Sequence, residues 1–414
     1  MISIAMLGYG VVGSGVAELI NTNRGIFKNS MDQELSISSI LVRNLEKYKD
    51  NKNNRLITND IEDIFKNKVD IVVEAMGGLD PSYEYVKRSL KNKKHVVTAN
   101  KDLIAEHGNE LLSIARENGV KLYFEAAVGG GIPILKPLAE CLLGNKIENI
   151  KAVLNGTTNF ILSKIEKENM SYNEALKLAQ DYGYAEANPE SDVMGYDSAR
   201  KLAILSSIAF NKKVHWKDMF IEGITDIDYK DFLVAKDKGY TIKLLCMSNK
   251  VNDDMYGSVR PVMVKKNSTL GIIENENNAI LVKGNAVGEV SFCGKGAGML
   301  PTASSVFADI VDVVTNKSSL FMNIADDEIK VDTLIEEEKE WLIRIKTDKR
   351  IDVMNKISDK FSNTYVYSNN FVNDESELMA IVKGKEKNIN EILNEIVKKE
   401  EADSYRKILI MGEV

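Results

Sequence analysis

The residues best suited to chemistry fall in one run, residues 185–210, AEANPESDVMGYDSARKLAILSSIAF. Glu186, Glu190 and Asp192 come first, then Asp197 and, one helical turn on, Lys201. An amine set among carboxylates can give and take a proton, and the carboxylates can hold a cationic substrate. The same spacing has a plainer reading, an exposed Asp–Lys pair on a solvated helix face. The neighbours argue against it. Ala199, Leu202, Ala203, Leu205, Ile208 and Ala209 make the stretch apolar on nearly every side, and no charge follows Lys201 for ten residues. A helix of that kind is buried, and Asp197 is predicted as its N-cap. His95, His107 and His215 all lie elsewhere, so proton transfer here falls to lysine and carboxylates.

The elements that must serve this stretch begin at the N-terminus. An apolar strand over residues 3–7 runs into Gly8-Tyr9-Gly10-Val11-Val12-Gly13 and then an amphipathic helix. That is G-x-G-x-x-G between strand and helix, the context in which glycines admit a pyrophosphate and helix amides bind it. A second strand ends in Arg43-Asn44, where an NAD site carries an acid for the ribose hydroxyl and an NADP site a cation for the 2′-phosphate. The expectation is NADP over NAD. A later strand leads into Thr98-Ala99-Asn100-Lys101, at the strand ends where ligands gather in open α/β sheets. Glu125 through Pro133 carries three glycines, leaving carbonyls and amides for a ligand, an ion or a close backbone contact.

Composition narrows the classes. At 414 residues, 44% hydrophobic and 28% charged, the chain is expected to form two or three globular domains. A net charge of −7 argues against nucleic acid or an anionic membrane as the main partner. Cys141, Cys246 and Cys293 fit no disulfide or metal pattern, which points to a reducing cytoplasm. No run approaches the ~20 apolar residues of a membrane span, and the first residues lack the basic region of a signal peptide. Residues 321–340 are polar and acidic and read as a linker. Beyond them the pattern β-α-β-β-α-β over residues 341–414 predicts a ferredoxin-like module.

Six segments, GYGVVGSGV, VVTANKDLIAEHG, FEAAVGGGIPIL, LNGTTNFIL, YAEANPESDVMGYDSARKLAIL and GKGAGMLPTASSVFADI, closely resemble those of monofunctional homoserine dehydrogenases and follow in the family's order. The resemblance implies an α/β chain: a Rossmann dinucleotide-binding domain over residues 1–130, an α+β catalytic and dimerisation domain over 131–320, and an ACT-like regulatory domain over 341–414. It implies reversible, NAD(P)-dependent interconversion of L-homoserine and L-aspartate 4-semialdehyde on the route to threonine and methionine. By similarity Lys201 is the acid/base, Lys101 reaches the reacting oxygen or the substrate carboxylate, and Glu186, Asp192 and Asp197 bind substrate. Gly183 and Gly298 then lie near the coenzyme, with Gly8, Gly10, Val11, Val12, Gly13, Arg43, Thr98 and Asn100. A monovalent cation, sodium by analogy, is held by carbonyls of the loop carrying Glu125, Val128, Gly130 and Ile132. A homodimer or homotetramer is expected, with threonine a possible effector. The tail lacks the usual Pro-Gly loop, reading Asp348-Lys349-Arg350 instead, so a packing role competes with feedback. The alternatives are a catalytically silent NADP-binding paralogue and a thioester-forming semialdehyde dehydrogenase. The first would lack Lys201 or the acids; the second needs an activated cysteine.

Overall fold

The structure, a computed structural model, describes residues 1–31, 33–315, 324, 327–361, 363–367 and 376–412. They form two compact units: residues 1–150, 199–217 and 280–330, and residues 151–198, 218–279 and 331–414.

The first unit is organised by a six-stranded sheet. Its strands are β1 (Ile2–Leu7), β2 (Leu35–Leu41), β3 (Ile57–Thr58), β4 (Ile71–Glu74), β5 (His95–Thr98) and β6 (Leu122–Tyr123), in the order β3-β2-β1-β4-β5-β6. Every pairing is parallel. Ile4, Ala5, Met6, Leu7 and Val72, Val73 are wholly buried, because a central parallel strand is covered on both faces and reads as a continuous apolar run. The strand order reverses between β1 and β4, which opens a crevice at their C-terminal ends. The helix Val11–Thr22 starts at that crevice, and its Gly15 lies so close to the helix Met299–Val314 that a Cβ would sit 2.8 Å from Met299 O.

The second unit is built on a long antiparallel hairpin, Tyr240–Val251 with Asp254–Lys265, in register from Val251↔Asp254 to Tyr240↔Lys265. Its C-terminal part runs strand Lys339–Lys346, helix Arg350–Lys360, strand Tyr365–Val366, strand Glu377–Gly384, helix Glu386–Lys398, strand Ser404–Ile410. The first of these strands lies between the last and the third, and the second is on the outer edge, all antiparallel. This is the β-α-β-β-α-β arrangement expected from the sequence. What sequence did not reveal is its continuity: Leu409 and Ile410 pair with Val262 and Met263, so the module's sheet extends that of the hairpin. Nor are residues 321–340 wholly a linker, since Val331–Asp332 forms a strand paired with Met255 and Tyr256. Residues 316–323 and 325–326 lie outside the described residues. Among the described residues no helix is long and apolar enough to cross a membrane.

Candidate active site

The glycine motif does what its spacing demands. Gly8 has φ +98°, and a Cβ there would lie 2.7 Å from Ala75 O; a Cβ on Gly13 would lie 2.4 Å from Gly8 O. Only glycine tolerates such approaches. Gly10 precedes a helix with no side-chain cap and no acid in its first turn. The first helical bond is donated by Ser14 to Gly10 O, so the amides of Val11, Val12 and Gly13 have no acceptor within the helix. An anion is what such a terminus binds. Beside it lies a cavity of about 390 Å³ whose lining includes Gly8, Gly10, Arg43, Lys47, Met76 and Tyr85. The predicted Arg43 is exposed at the end of β2, and the nearest acid, Glu46, is paired with Lys49. Tyr48 and Tyr9 pack edge to face, and Tyr48 Oη donates to Tyr9 O at 3.0 Å. Lys47 and the tyrosines were not singled out in the sequence. Glycine motifs announce a turn, whereas the cavity wall comes from a loop with no pattern of its own.

Thr98 and Asn100 are buried and do not line that cavity. Thr98 donates to Glu74 Oε2 at 2.5 Å, and Asn100 spends its amide on Gly78 O and its oxygen on Leu103 N–H. Glu74 is wholly buried beneath them, and burial, the largest influence on it, raises its pKa above the usual carboxylate value. These side chains fix the turn from which the helix Lys101–Glu117 starts, so Lys101 is its first residue.

That helix is tied to the other lysine. Asp102 forms an ion pair with Arg200 at 3.4 Å, and the Arg200 guanidinium lies 4.5 Å from the Trp216 ring centroid. Trp216 Nε1 in turn donates to Glu106 at 2.8 Å. Asp102 follows Lys101 and Arg200 precedes Lys201, so one contact locks the backbone beside both amines. Lys201 itself is half-buried on the helix Tyr196–Phe210, whose Ala199, Leu202, Ala203 and Leu205 are buried. The helix begins at Tyr196, so Asp197 is not its N-cap but a member of its first turn, where the helix dipole favours a carboxylate.

In the second unit, Asp197 is 4% exposed and meets Asp192 through a residue the sequence reading passed over. Asn155 Nδ2 donates to Asp192 Oδ1 at 2.7 Å and to Asp197 Oδ2 at 2.9 Å. Its Oδ1 caps the helix Gly156–Glu168 by accepting from Thr158 N–H. An Asn before a helix signals a cap, and a cap that uses the oxygen leaves the amide hydrogens for something else. Glu186 lies outside this bridge, exposed in the loop after Gly183, which has φ +75°. Gly298, with φ +116°, is in the first unit immediately before the helix Met299–Val314.

The glycine loop after β6 is held by an acid of its own. Both oxygens of Glu125 are taken up by the amides of Ile134, Leu135 and Lys136, and the Glu125 amide donates to Asp309 at 2.9 Å. Burial first, and the Glu125 charge second, push Asp309 well above the usual carboxylate range. Gly130 has φ +57°, a Cβ there would lie 2.3 Å from Gly296 O, and its carbonyl accepts from Ser305 at 2.7 Å. The glycines thus serve a close backbone crossing. With the Glu125 carboxylate satisfied by amides, any cation in this loop falls to main-chain carbonyls, and no cluster of three acids, histidines or cysteines suited to a metal occurs among the described residues.

Known proteins of one family are similar to this chain in sequence and fold. The homoserine dehydrogenase NAD-binding domain model matches residues 8–125 and the homoserine dehydrogenase model residues 133–311. The homoserine dehydrogenase of Bacillus subtilis is 43% identical over 317 residues, covering 76% of this chain and 73% of that protein. The chain belongs to the homoserine dehydrogenase family. The Helicobacter pylori homoserine dehydrogenase is 41% identical, covering 78% of this chain and 76% of its own. The crystal structure of the Thiobacillus denitrificans homoserine dehydrogenase superposes with a TM-score of 0.89 at 32% identity, covering 99% of this chain and 98% of that one. A hyperthermophilic archaeal homoserine dehydrogenase solved in complex with NADPH gives 0.66 at 29% identity, over 77% and 99%. Membership makes the protein an NAD(P)-dependent oxidoreductase acting on CH–OH, with homoserine dehydrogenase activity. Neither the silent paralogue nor the thioester enzyme finds support: Lys201 and all three acids are in place, and the Cys293 thiol is pushed up by burial rather than activated.

Proposed function

We propose that Lys201 is the general acid and base for reversible interconversion of L-homoserine and L-aspartate 4-semialdehyde, with Asp192, Asp197 and Glu186 binding the substrate ammonium. The Asn155 bridge carries this reading: it holds two carboxylates together, one of them buried, a turn from the lysine on the same helix. An α-ammonium is a group that two carboxylates so held can bind through charge-assisted hydrogen bonds. A nicotinamide coenzyme held at the glycine turn and the cavity by Arg43 would supply hydride transfer at the substrate's terminal carbon. The chain's own part is positioning and one proton. As the alcohol is oxidised, its hydroxyl proton passes to Lys201 Nζ; in reduction the Lys201 ammonium returns it. Lys101, the first residue of its helix, stands by the same oxygen or the substrate carboxylate. Steady-state homoserine oxidation by wild type and Asp192→Asn tests the reading: a raised KM for homoserine supports it, an unchanged one overturns it.

NADP is the favoured coenzyme. Arg43 and Lys47 line the cavity by the glycine turn, no free acid stands at the end of β2, and a 2′-phosphate suits two cations. A monovalent cation, sodium by analogy, belongs to the carbonyls of the loop carrying Glu125, Val128, Gly130 and Ile132. We assign residues 341–414 to an ACT-like module, in a chain that works as a homodimer or homotetramer in the cytoplasm. Where the usual Pro-Gly loop is missing, Arg350 donates to the carbonyls of Glu377 and Tyr367, and Lys349 N–H to Thr347. Arg350 thus ties this turn to the backbone of two neighbouring segments, which favours packing over threonine binding. Rates unchanged by millimolar threonine support this; inhibition restores the effector reading.

A further inference from the structure

We propose that Arg406, on the last strand of the C-terminal module, is a positioning residue for the substrate-binding acid Asp192. Its side chain is 8% exposed. Nη2 donates to Gly223 O at 3.1 Å and lies 3.4 Å from Glu222 Oε1, while Nη1 pairs with Asp226 Oδ2 at 3.1 Å. Arg344, on the module's first strand, donates to Asp226 O at 2.6 Å. Two arginines of the module therefore fasten one five-residue segment, 222–226.

That segment presses on the substrate acids. A Cβ on Gly223 would sit 2.3 Å from Val193 O and 2.7 Å from Met194 Cα, and Ile224 N–H donates to Val193 O at 2.9 Å. Val193 ends the short helix Glu190–Val193, which carries Asp192. On its other side the segment is fixed to the hairpin, Glu222 N–H donating to Val259 O at 2.8 Å. With contact this close, a shift at residues 222–226 moves the Val193 carbonyl and with it Asp192, since packed elements transmit displacement. The desolvated guanidinium has several acceptors to satisfy, and removing it leaves Glu222, a half-buried acid, without its nearest cation. The glycine at 223 and the arginine at 406 lie 183 residues apart and meet only in the fold.

The inference rests on Asp192 binding substrate. Steady-state kinetics on Arg406→Gln, Arg406→Lys, Gly223→Ala and Asp192→Asn, with thermal melts of each, separates the two. Loosened placement of a ground-state binding group raises KM for homoserine while leaving kcat. The expected result is a homoserine KM about tenfold higher in Arg406→Gln and Gly223→Ala, with kcat and the coenzyme KM within about twofold and Arg406→Lys recovering part of the loss. Gly223→Ala carries the test if Arg406→Gln does not fold, because it perturbs the same contact from the other side. A folded Arg406→Gln or Gly223→Ala enzyme with unchanged homoserine KM overturns the proposal while Asp192→Asn still shows a defect. If Asp192→Asn shows none, the substrate reading fails instead. Loss of both KM values and melting temperature together marks Arg406 as structural and also overturns it.

Discussion

Asp102 and Arg200 pair at 3.4 Å, and each is the immediate chain neighbour of a lysine assigned to the reaction. With side chains 20% and 30% exposed, Arg200 and Asp102 form a partly screened pair, worth little as stability. Its value is positional: it fixes the start of the Lys101–Glu117 helix against the residue preceding Lys201. Arg200→Gln is therefore expected to lower kcat by roughly 10- to 100-fold, the cost of small misplacements near reacting atoms. Asp102→Asn should do the same, and the double variant should be no worse than either single one. Additive losses, or a normal kcat in either single variant, count against this role.

Lys201→Ala removes the proton donor but touches nothing in the glycine turn. Turnover should fall by about 10²–10⁴ or more, the range associated with a positioned acid/base. NADPH affinity should stay within a few-fold, because the amides after Gly10 and the cavity by Arg43 remain. Fluorescence titration of NADPH reports this directly. Affinity collapsing together with turnover would assign Lys201 to coenzyme binding.

Arg43→Ala tests the coenzyme choice. If the guanidinium meets a 2′-phosphate, kcat/KM for NADP should drop by roughly tenfold or more, while that for NAD changes little. Lys47→Ala should act in the same direction but more weakly, since a flexible ammonium makes no forked contact. Equal losses with both coenzymes would mean that neither residue reads the phosphate.

What was legible in the sequence is what neighbours along the chain decide. The glycine turn, the buried parallel strands and the lysine-bearing helix each follow from spacing within about a dozen residues. Asp197 was misplaced by two residues for the same reason: a capping preference marks a helix start, but the helix begins at Tyr196, so tertiary packing chose it. Contacts made by pairing distant segments left no mark. Glu125 and Asp309 meet across 184 residues, and Ser404–Ile410 joins the hairpin's sheet through register alone. Asn155 falls between, its cap predictable and its grip on two acids not.

A buried amine supplies the pH test. Lys243 is 2% exposed in the second unit, donating to Asn159 Oδ1 at 3.1 Å and to Ile273 O at 2.5 Å, and burial pushes its pKa from 10.5 down to about 8. Below pH 8 it is charged in both states, and folding carries the full cost of burying that charge, roughly 3 kcal/mol. Between pH 8 and 10.5 the folded state has released a proton the unfolded chain still holds, so this contribution makes stability rise with pH. Lys243→Met has no such cost and no such slope, though it strands the Asn159 and Ile273 acceptors at about 1–3 kcal/mol. Urea unfolding of both proteins at pH 7 and pH 10 should show the difference moving towards wild type by roughly 2–3 kcal/mol. Parallel profiles would mean that Lys243 keeps its ordinary proton affinity in the fold, and that its two hydrogen bonds offset the burial.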